Sequence, residues 1–533
     1  MAGSGSRARV SSTKRSNRRR PAKGDLPGLS AEEFFLKEGS GKGYSFDDFN
    51  ILDSIETEIG LDQISLETDL GKGVKLYIPV VAAPMDTVSE ANLSIAIAQQ
   101  GGISVIHHNQ RDADNRFLLE EQISEIEKVK RHQSGFISQP MTVAPGMTIG
   151  EAREKGKRFM VSSERRPSGS GIIDTFPVTR DGTLDSELVG FLTRDCYFED
   201  SDLDLKVGAK MYSLDELLRN GMVIRKSNVT EKQARRQMAD RRIRHLLAIT
   251  RAGKINYLVT RKDMVKNARF PHATRDDKGR LRVLFSVDTK DFVEPLERGF
   301  AAGADGVVVD TSQGLTMYAK KTMRFIKNHY SDKLIIGGNI STSAAARKLE
   351  KYGMDAYRCG QGVGSICTTQ DTIGVGRAGA TAIYDCARAS RLAVIADGGI
   401  RGGGDIVKAL ALGAHAVMLG NLLARTDESP GELVETASGE RMKKYRGMGS
   451  LEAMGGRSIR DYGVQAQGVT GYVRSKGSVH SFVPGLVNSV MKGLQALNCR
   501  NLRELHDYMR KGLIRFESRE PGALVESKPH SLN

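Results

Sequence analysis

Eight short apolar runs, each closing on small or polar residues, constrain the fold of this chain more than any other feature. They span 80–85, 103–108, 284–287, 306–310, 334–339, 356–360, 392–399 and 416–420. Within them Val, Ile, Leu and Ala follow one another with little polar alternation, the pattern of parallel strands buried on both faces. Amphipathic helical patterns lie between several of them, at 292–302, 317–330, 343–352 and 405–412. Strand–helix alternation repeated eight times predicts an α/β chain folded as a (β/α)8 TIM barrel, with a doubly wound sheet as the alternative. The polar strand ends then meet on the carboxyl-terminal face, where such barrels carry their active sites.

One gap breaks the rhythm. About 175 residues separate the second run from the third, where later gaps are about 20–30. A second domain is therefore expected after strand two, and it repeats internally. Met141-Thr142-Val143 opens one segment, which closes on Thr193-Arg194-Asp195. Met222-Val223-Ile224 opens the next, which closes on Thr260-Arg261-Lys262-Asp263. The repeat resembles a pair of cystathionine-β-synthase-type (CBS) motifs. That likeness implies an adenine or guanine nucleotide effector held between the halves, with Asp195 and Asp263 on ribose hydroxyls. A repeat that only stabilises itself is the alternative. The expected division is a basic tail over 1–30, a first barrel part over 31–136, the inserted pair over 137–205 and 206–268, and the rest of the barrel over 269–533.

Composition excludes several classes. A chain with 39% hydrophobic and 27% charged residues has ample core material and is not wholly disordered. No apolar run approaches the ~18 residues of a membrane span. The start of the chain has no secretory pattern, and its end has no peroxisomal Ser-Lys-Leu. Five cysteines, without a CxxC, predict a reducing, cytoplasmic home rather than a disulfide framework or zinc site. Of the net charge of +15, about half comes from eight basic residues within 1–24. That tail reads as solvated; binding of nucleic acid through it is the alternative.

The chemistry concentrates after strand six, in Gly360-Gln361-Gly362-Val363-Gly364-Ser365-Ile366-Cys367-Thr368-Thr369-Gln370. Glycines let this backbone approach a ligand closely. A cysteine there is a candidate nucleophile, and equally a small buried hydrophobe. Its company favours the first reading. Asp397-Gly398-Gly399 follows strand seven and Gly420-Asn421 follows strand eight, the loops where barrels bind phosphate through backbone N–H groups. Asp310-Thr311-Ser312 ends strand four and Gly338-Asn339 ends strand five.

These motifs, with Ala82-Ala83-Pro84-Met85-Asp86-Thr87-Val88, His107-His108-Asn109 and Lys444-Tyr445-Arg446-Gly447-Met448-Gly449-Ser450, resemble the IMP dehydrogenase and GMP reductase family from about Tyr44 to the end. The resemblance implies oxidation of IMP to XMP with NAD, a step of guanine nucleotide synthesis. Cys367 would attack the purine C2 and Thr369 would assist proton movement; an arginine of the flap would activate the hydrolytic water, a role open here to Arg460 or Arg457. Ser365, Gly399, Gly420 and Tyr445 would grip the phosphate, with Asn421 beside them. Asp397 would hold the ribose. Met448, Gly449 and Gln467 would contact the base, with Ala83, Met85, Gly398 and Gly447 completing the substrate site. Asp310, Ser312, Asn339, Arg358 and Gly360 would border the nicotinamide. A potassium ion would sit on carbonyls of Gly362, Gly364 and Cys367, completed by Glu526, Ser527 and Lys528 of a neighbouring subunit. The family layout also implies a homotetramer, and octamers through the CBS pair.

Four positions depart from the family pattern. The flap carries no adjacent Arg-Tyr pair, and Gln467 comes only 13 positions after Met454, as in the reductases. Gln467 is an amide where a reductase has a glutamate, and an amide cannot relay a proton. Asn421 replaces a serine. The end of the chain has Val525-Glu526-Ser527-Lys528 in place of a Glu-Gly-Gly run; the hypothesis is that the Lys528 ammonium substitutes for potassium, and a solvated lysine beside an altered or weakened ion site is the alternative. GMP reductase and a non-catalytic nucleotide-sensing barrel are the two rival functions.

Overall fold

Each of the eight apolar runs supplies one strand of a closed parallel barrel. The strands are β1 (Val80–Ala82), β2 (Ile103–Ile106), β3 (Leu284–Val287), β4 (Gly306–Val309), β5 (Leu334–Ile340), β6 (Ala356–Cys359), β7 (Ala393–Asp397) and β8 (Ala416–Leu419). The structure, a computed structural model, describes residues 26–53, 56–110, 117–132, 136–137, 140–158, 175–197, 200–226, 229–261, 264, 270–454 and 465–527. β8 closes the ring against β1, with Met418 opposite Val81.

The barrel is packed by the two-residue alternation of its strands. Val81, Ile103, Val105, Leu284, Val308, Ile336, Ile395 and Met418 fill the interior. Their neighbours Val80, Ile106, Phe285, Val307, Ile335, Val394 and Val417 face outward into the core shared with the helices. Each such side chain contributes about 1.5–3 kcal/mol by leaving water. Leu70, Val74 and Leu76, from the hairpin Thr68–Asp69 and Lys75–Leu76, join the interior cluster and complete its packing. The expected helices stand at Val293–Ala301, Met317–His329, Ser343–Lys351 and Gly403–Ala411. Two start at threonine caps: Thr316 Oγ1 accepts from the Ala319 N–H and Thr342 Oγ1 from the Ala345 N–H.

The segment after β2 forms two further sheets. One has the order Tyr212–Ser213, Leu188–Leu192, Phe176–Thr179; the other joins Val223–Arg225, His245–Ile249, Ile255–Thr260 and Phe136–Ile137. Strands are exchanged between the halves: Tyr212–Ser213 pairs with Leu188–Leu192, and Phe136–Ile137 with Ile255–Thr260. At the root of this unit, Lys130 bonds Asp276 at 3.0 Å and Asp305 at 2.9 Å, with Arg282 also on Asp305. The chain entering and the chain leaving the insertion are thus clamped to the barrel.

The expected tail over 1–30 ends too late. Leu29–Ser30 forms a strand against Arg515–Ser518, which also pairs with Phe49–Leu52. A cluster of Phe34, Phe35, Phe49 and Phe516 buries this junction, and charge counting takes no account of such pairing. Residues 1–25 lie outside the described residues. No helix among the described residues is long and apolar enough to cross a membrane.

Candidate active site

The carboxyl ends of the strands open into a cavity of about 1080 Å³. Ala83 and Met85 reach it after β1, Asp310 and Ser312 after β4, and Asn339 from the end of β5. Arg358 and Gly360 come from β6; Asp397, Gly398 and Gly399 from β7; Gly420 and Asn421 from β8. Gly362, Gly364, Ser365, Cys367 and Thr369 line it from the glycine-rich loop. Tyr445, Gly447, Met448, Gly449 and Gln467 come from the hairpin of Arg441–Arg446 and Thr470–Arg474 and the loop that joins them.

The cysteine loop is stitched to this hairpin rather than hanging free. Thr368 N–H donates to Gln467 O at 3.0 Å, and Val469 N–H to Ile366 O at 3.1 Å. Cys367 N–H turns back to Gly364 O at 3.0 Å. The thiol is half-buried, with Sγ 3.1 Å from Thr369 Oγ1. Glycine is obligatory at the root of the loop: with φ +149°, a Cβ on Gly360 would lie 1.9 Å from Asp397 O.

Beneath the loop lies a buried ionic cluster. Arg358, with 10% of its side chain exposed, donates to Asp310 Oδ1 at 2.5 Å and through Nε and Nη2 to Asp397 Oδ2 at 3.0 and 2.9 Å. Burial works against its charge, but Asp397 and Asp310 more than offset this, and the guanidinium pKa ends above its ordinary value. Asn339 Nδ2 donates to Asp397 Oδ2 and to Gly360 O, both at 2.8 Å. Its Oδ1 is buried and has no hydrogen-bond partner among the described residues. A buried acceptor left open beside a cavity suits a ligand that brings an N–H or O–H donor.

The opposite wall is less charged. Tyr445 is 4% exposed, and its hydroxyl is pushed up to about 12 by burial, with a hydrogen bond to Ser365 pulling the other way. The backbone N–H groups of Ser365, Gly399 and Gly420 are taken up by no carbonyl among the described residues. Asn421 Oδ1 accepts from Arg425 Nε at 2.9 Å. Arg446 ties the hairpin to the end of β1 through Asp86 at 2.8 Å.

Other expected site residues lie elsewhere. Arg457, Arg460, Lys528 and Asp263 fall outside the described residues. Glu526 and Ser527 end the helix Pro521–Glu526 and do not line the cavity of their own chain. Asp195 sits exposed in the turn Arg194–Cys196 of the inserted unit. Of the expected cation ligands, Gly362 O already accepts from Gln370 Nε2 at 2.8 Å and Gly364 O from Cys367 N–H. Each carbonyl keeps one lone pair, so both retain an acceptor for a cation. His108, Phe117, Asp288 and Gln370 also line the cavity and were not anticipated as site residues. His108 and Asp288 stand at strand ends, the signal that identified Asp310 and Asn339; Phe117 carries no such signal.

Comparison with known proteins agrees with this geometry. The family model described as IMP dehydrogenase / GMP reductase domain matches residues 43–530. The inosine-5′-monophosphate dehydrogenase of Caenorhabditis elegans is 34% identical over 92% of this chain and 93% of its own. That of Streptococcus pyogenes is 36% identical over 93% and 96%. Among solved structures, a cysteine-to-alanine variant of GMP reductase from Trypanosoma brucei, in complex with guanosine 5′-monophosphate, is similar with a TM-score of 0.81. It is 30% identical and covers 93% of this chain and 100% of that one. The same enzyme in complex with guanosine 5′-triphosphate is similar with a TM-score of 0.71 and 28% identity, over 90% and 98%. With the eight-stranded barrel, the cysteine loop and these likenesses together, the chain belongs to the IMP dehydrogenase / GMP reductase family of oxidoreductases.

Proposed function

We propose that this protein oxidises IMP to XMP with NAD. The observation that carries the reading is the Cys367 thiol in the cavity, 3.1 Å from Thr369 Oγ1, beside an amide at Gln467. A purine monophosphate fits with its phosphate toward the N–H groups of Ser365, Gly399 and Gly420 and the Tyr445 hydroxyl. Its ribose hydroxyls then donate to Asp397. Met448, Gly449 and Gln467 border the base, with Ala83, Met85, Gly398, Gly447 and Asn421 around it.

The Cys367 thiolate forms a bond to purine C2, and Thr369 handles the thiol proton through their contact. Asp310, Ser312, Asn339, Arg358 and Gly360 would hold the nicotinamide, and NAD when bound would supply the acceptor for the hydride that leaves C2. The product is a thioimidate on Cys367, and water attacks it to give XMP and the free thiol. Arg460 is the residue proposed to activate that water. The open acceptor of Asn339 supports a carboxamide donor next to Asp310, Ser312, Arg358 and Gly360.

The inserted unit reads as a CBS pair that takes an adenine or guanine nucleotide, with Asp195 and Asp263 on ribose. The assembly is proposed as a homotetramer, in which the Lys528 ammonium of a neighbouring copy takes the place of potassium near Gly362, Gly364 and Cys367. A cytoplasmic location follows from the thiol chemistry.

A second reading, GMP reductase, is favoured by the likeness to the Trypanosoma brucei structures and by the short stretch from Met454 to Gln467. The amide at Gln467 weighs against it. A steady-state assay of IMP and GMP with NAD, NADP and their reduced forms separates the two. NADH formation from IMP supports the first reading, and NADPH consumption with GMP supports the second.

A further inference from the structure

Arg425 lines the cavity just beyond β8 and has no part in the chemistry above. It follows the buried run Leu422-Leu423-Ala424, and the main chain around it is pinned. Arg425 O accepts from the Lys476 N–H at 2.8 Å, and the Asp427 N–H donates to Gly477 O at 3.0 Å. Thr426 between them is buried, with Oγ1 donating to Leu423 O at 2.7 Å. The half-buried Arg425 side chain thus leaves a fixed point and reaches the cavity wall.

The arginines that line the cavity differ in how their charge is met. Arg358 is held by Asp310 and Asp397, and Arg401 by Asp47 and Asp405. Arg425 enters no ion pair among the described residues; Nε donates to the neutral Asn421 Oδ1 at 2.9 Å. A guanidinium only donates, so the Asn421 amide faces it through oxygen and turns Nδ2 away. Neither Asn421 Nδ2 nor the terminal nitrogens of Arg425 donate to a described residue. The Tyr445 hydroxyl is close by, 2.8 Å from where a Cβ on Gly420 would stand. Burial raises its pKa and the Ser365 hydrogen bond lowers it; Asp397 then raises it and Arg425 lowers it.

We propose that Arg425 is the cation that senses the second negative charge of the substrate's phosphomonoester, with Asn421 Nδ2 as a neutral donor beside it. This rests on the purine monophosphate reading given above and deepens it. The backbone N–H groups assigned to the phosphate are neutral, so they position it without neutralising it. A phosphomonoester carries about −1.5 to −2 charge near pH 7. A guanidinium fork matches its oxygens in geometry and opposes their charge. An arginine that acted only by packing its stem, or by its bond to Asn421, would not distinguish ligands by charge.

Inosine 5′-sulfate has the tetrahedral end of IMP with a single negative charge, so calorimetric binding of the two to the full-length chain tests the proposal without turnover. At pH 7.5 the wild type is expected to prefer IMP by about tenfold or more, the scale of one hydrogen bond to a charged group. Arg425→Gln keeps a donor and loses the charge. It is expected to cut that preference by about fivefold or more, with Arg425→Lys between the two. No preference in the wild type, or equal weakening of both ligands in Arg425→Gln, overturns the proposal. NAD-dependent turnover of IMP alongside an unmoved preference removes the role of Arg425 and leaves the reaction standing. A moved preference without turnover of IMP does the reverse.

Discussion

Cys367 Sγ and Thr369 Oγ1 lie 3.1 Å apart at the start of the helix Thr369–Ile373. In the proposed reaction the two side chains share the thiol proton, while the phosphate is gripped by Gly399, Gly420 and Tyr445 from other elements, with Ser365 from the cysteine loop itself. Binding and chemistry should therefore separate on substitution. Cys367→Ser is expected to lower turnover by about three orders of magnitude or more, the scale of losing a nucleophile. IMP binding is expected to persist. Single-turnover kinetics and calorimetry on the same preparation read the two quantities, and unchanged turnover removes the nucleophile.

Arg358 is the only cation in contact with both Asp310 and Asp397 among the described residues. Arg358→Met leaves two mostly buried carboxylates unpaired at the floor of the cavity. Breaking such a cluster from one side costs about 3–5 kcal/mol. Denaturant unfolding is expected to show a loss on that scale, and turnover should fall with it. A loss within about 1 kcal/mol, the range of an exposed pair, would contradict the burial argument.

Gly360 and Asp397 set the closest backbone approach in the site. Gly360→Ala places a methyl 1.9 Å from a carbonyl oxygen on a strand that cannot retreat. The loop holding Cys367 must then shift relative to β7. Activity is expected to drop sharply while the barrel still folds, measured as lost turnover with retained far-ultraviolet dichroism.

The barrel was legible because its strands are buried on both faces, so apolar runs alone mark them. Polar residues at those strand ends marked Asp310, Asn339 and Asp397 for the same reason. Pairing partners were not legible. Nothing in the periodicity of Tyr212–Ser213 or Phe136–Ile137 says which half of the repeat each will join. Leu29–Ser30 was hidden by the charge run before it, since its partner Arg515–Ser518 lies at the other end of the chain. Phe117 was missed because exposure of an aromatic is a tertiary property.

The proposed lysine in place of the cation has a direct readout. Replacing sodium with potassium in the assay is expected to leave turnover unchanged. Lys528→Met is expected to make turnover depend on potassium, because the carbonyls of Gly362 and Gly364 then need another positive charge. A clear rise with potassium in the unaltered protein assigns the site to the metal instead.

Acid stability should be governed in part by His415. Its Nδ1 accepts from the Val394 N–H at 3.2 Å, and its ring meets His506 edge to face at 5.2 Å. Burial, then the neighbouring His506 and Arg510, lower its pKa from 6.5 to about 4, with Asp69 opposing. His506 is lowered too, chiefly by burial, with its bond to Ala414 O opposing and Arg510 and Asp507 nearby. Between pH 6.5 and 4 the unfolded chain binds the His415 proton and the folded chain does not. Stability is therefore complete above pH 6.5 and is lost as pH falls toward 4, by about 3 kcal/mol from this residue. His415→Gln keeps an acceptor for the Val394 N–H and cannot titrate. Urea unfolding at pH 4.5 and pH 7.5 is expected to show a smaller acid loss in the variant than in the wild type. Equal losses would mean that the imidazole is protonated in the folded protein, or that other groups carry the whole dependence.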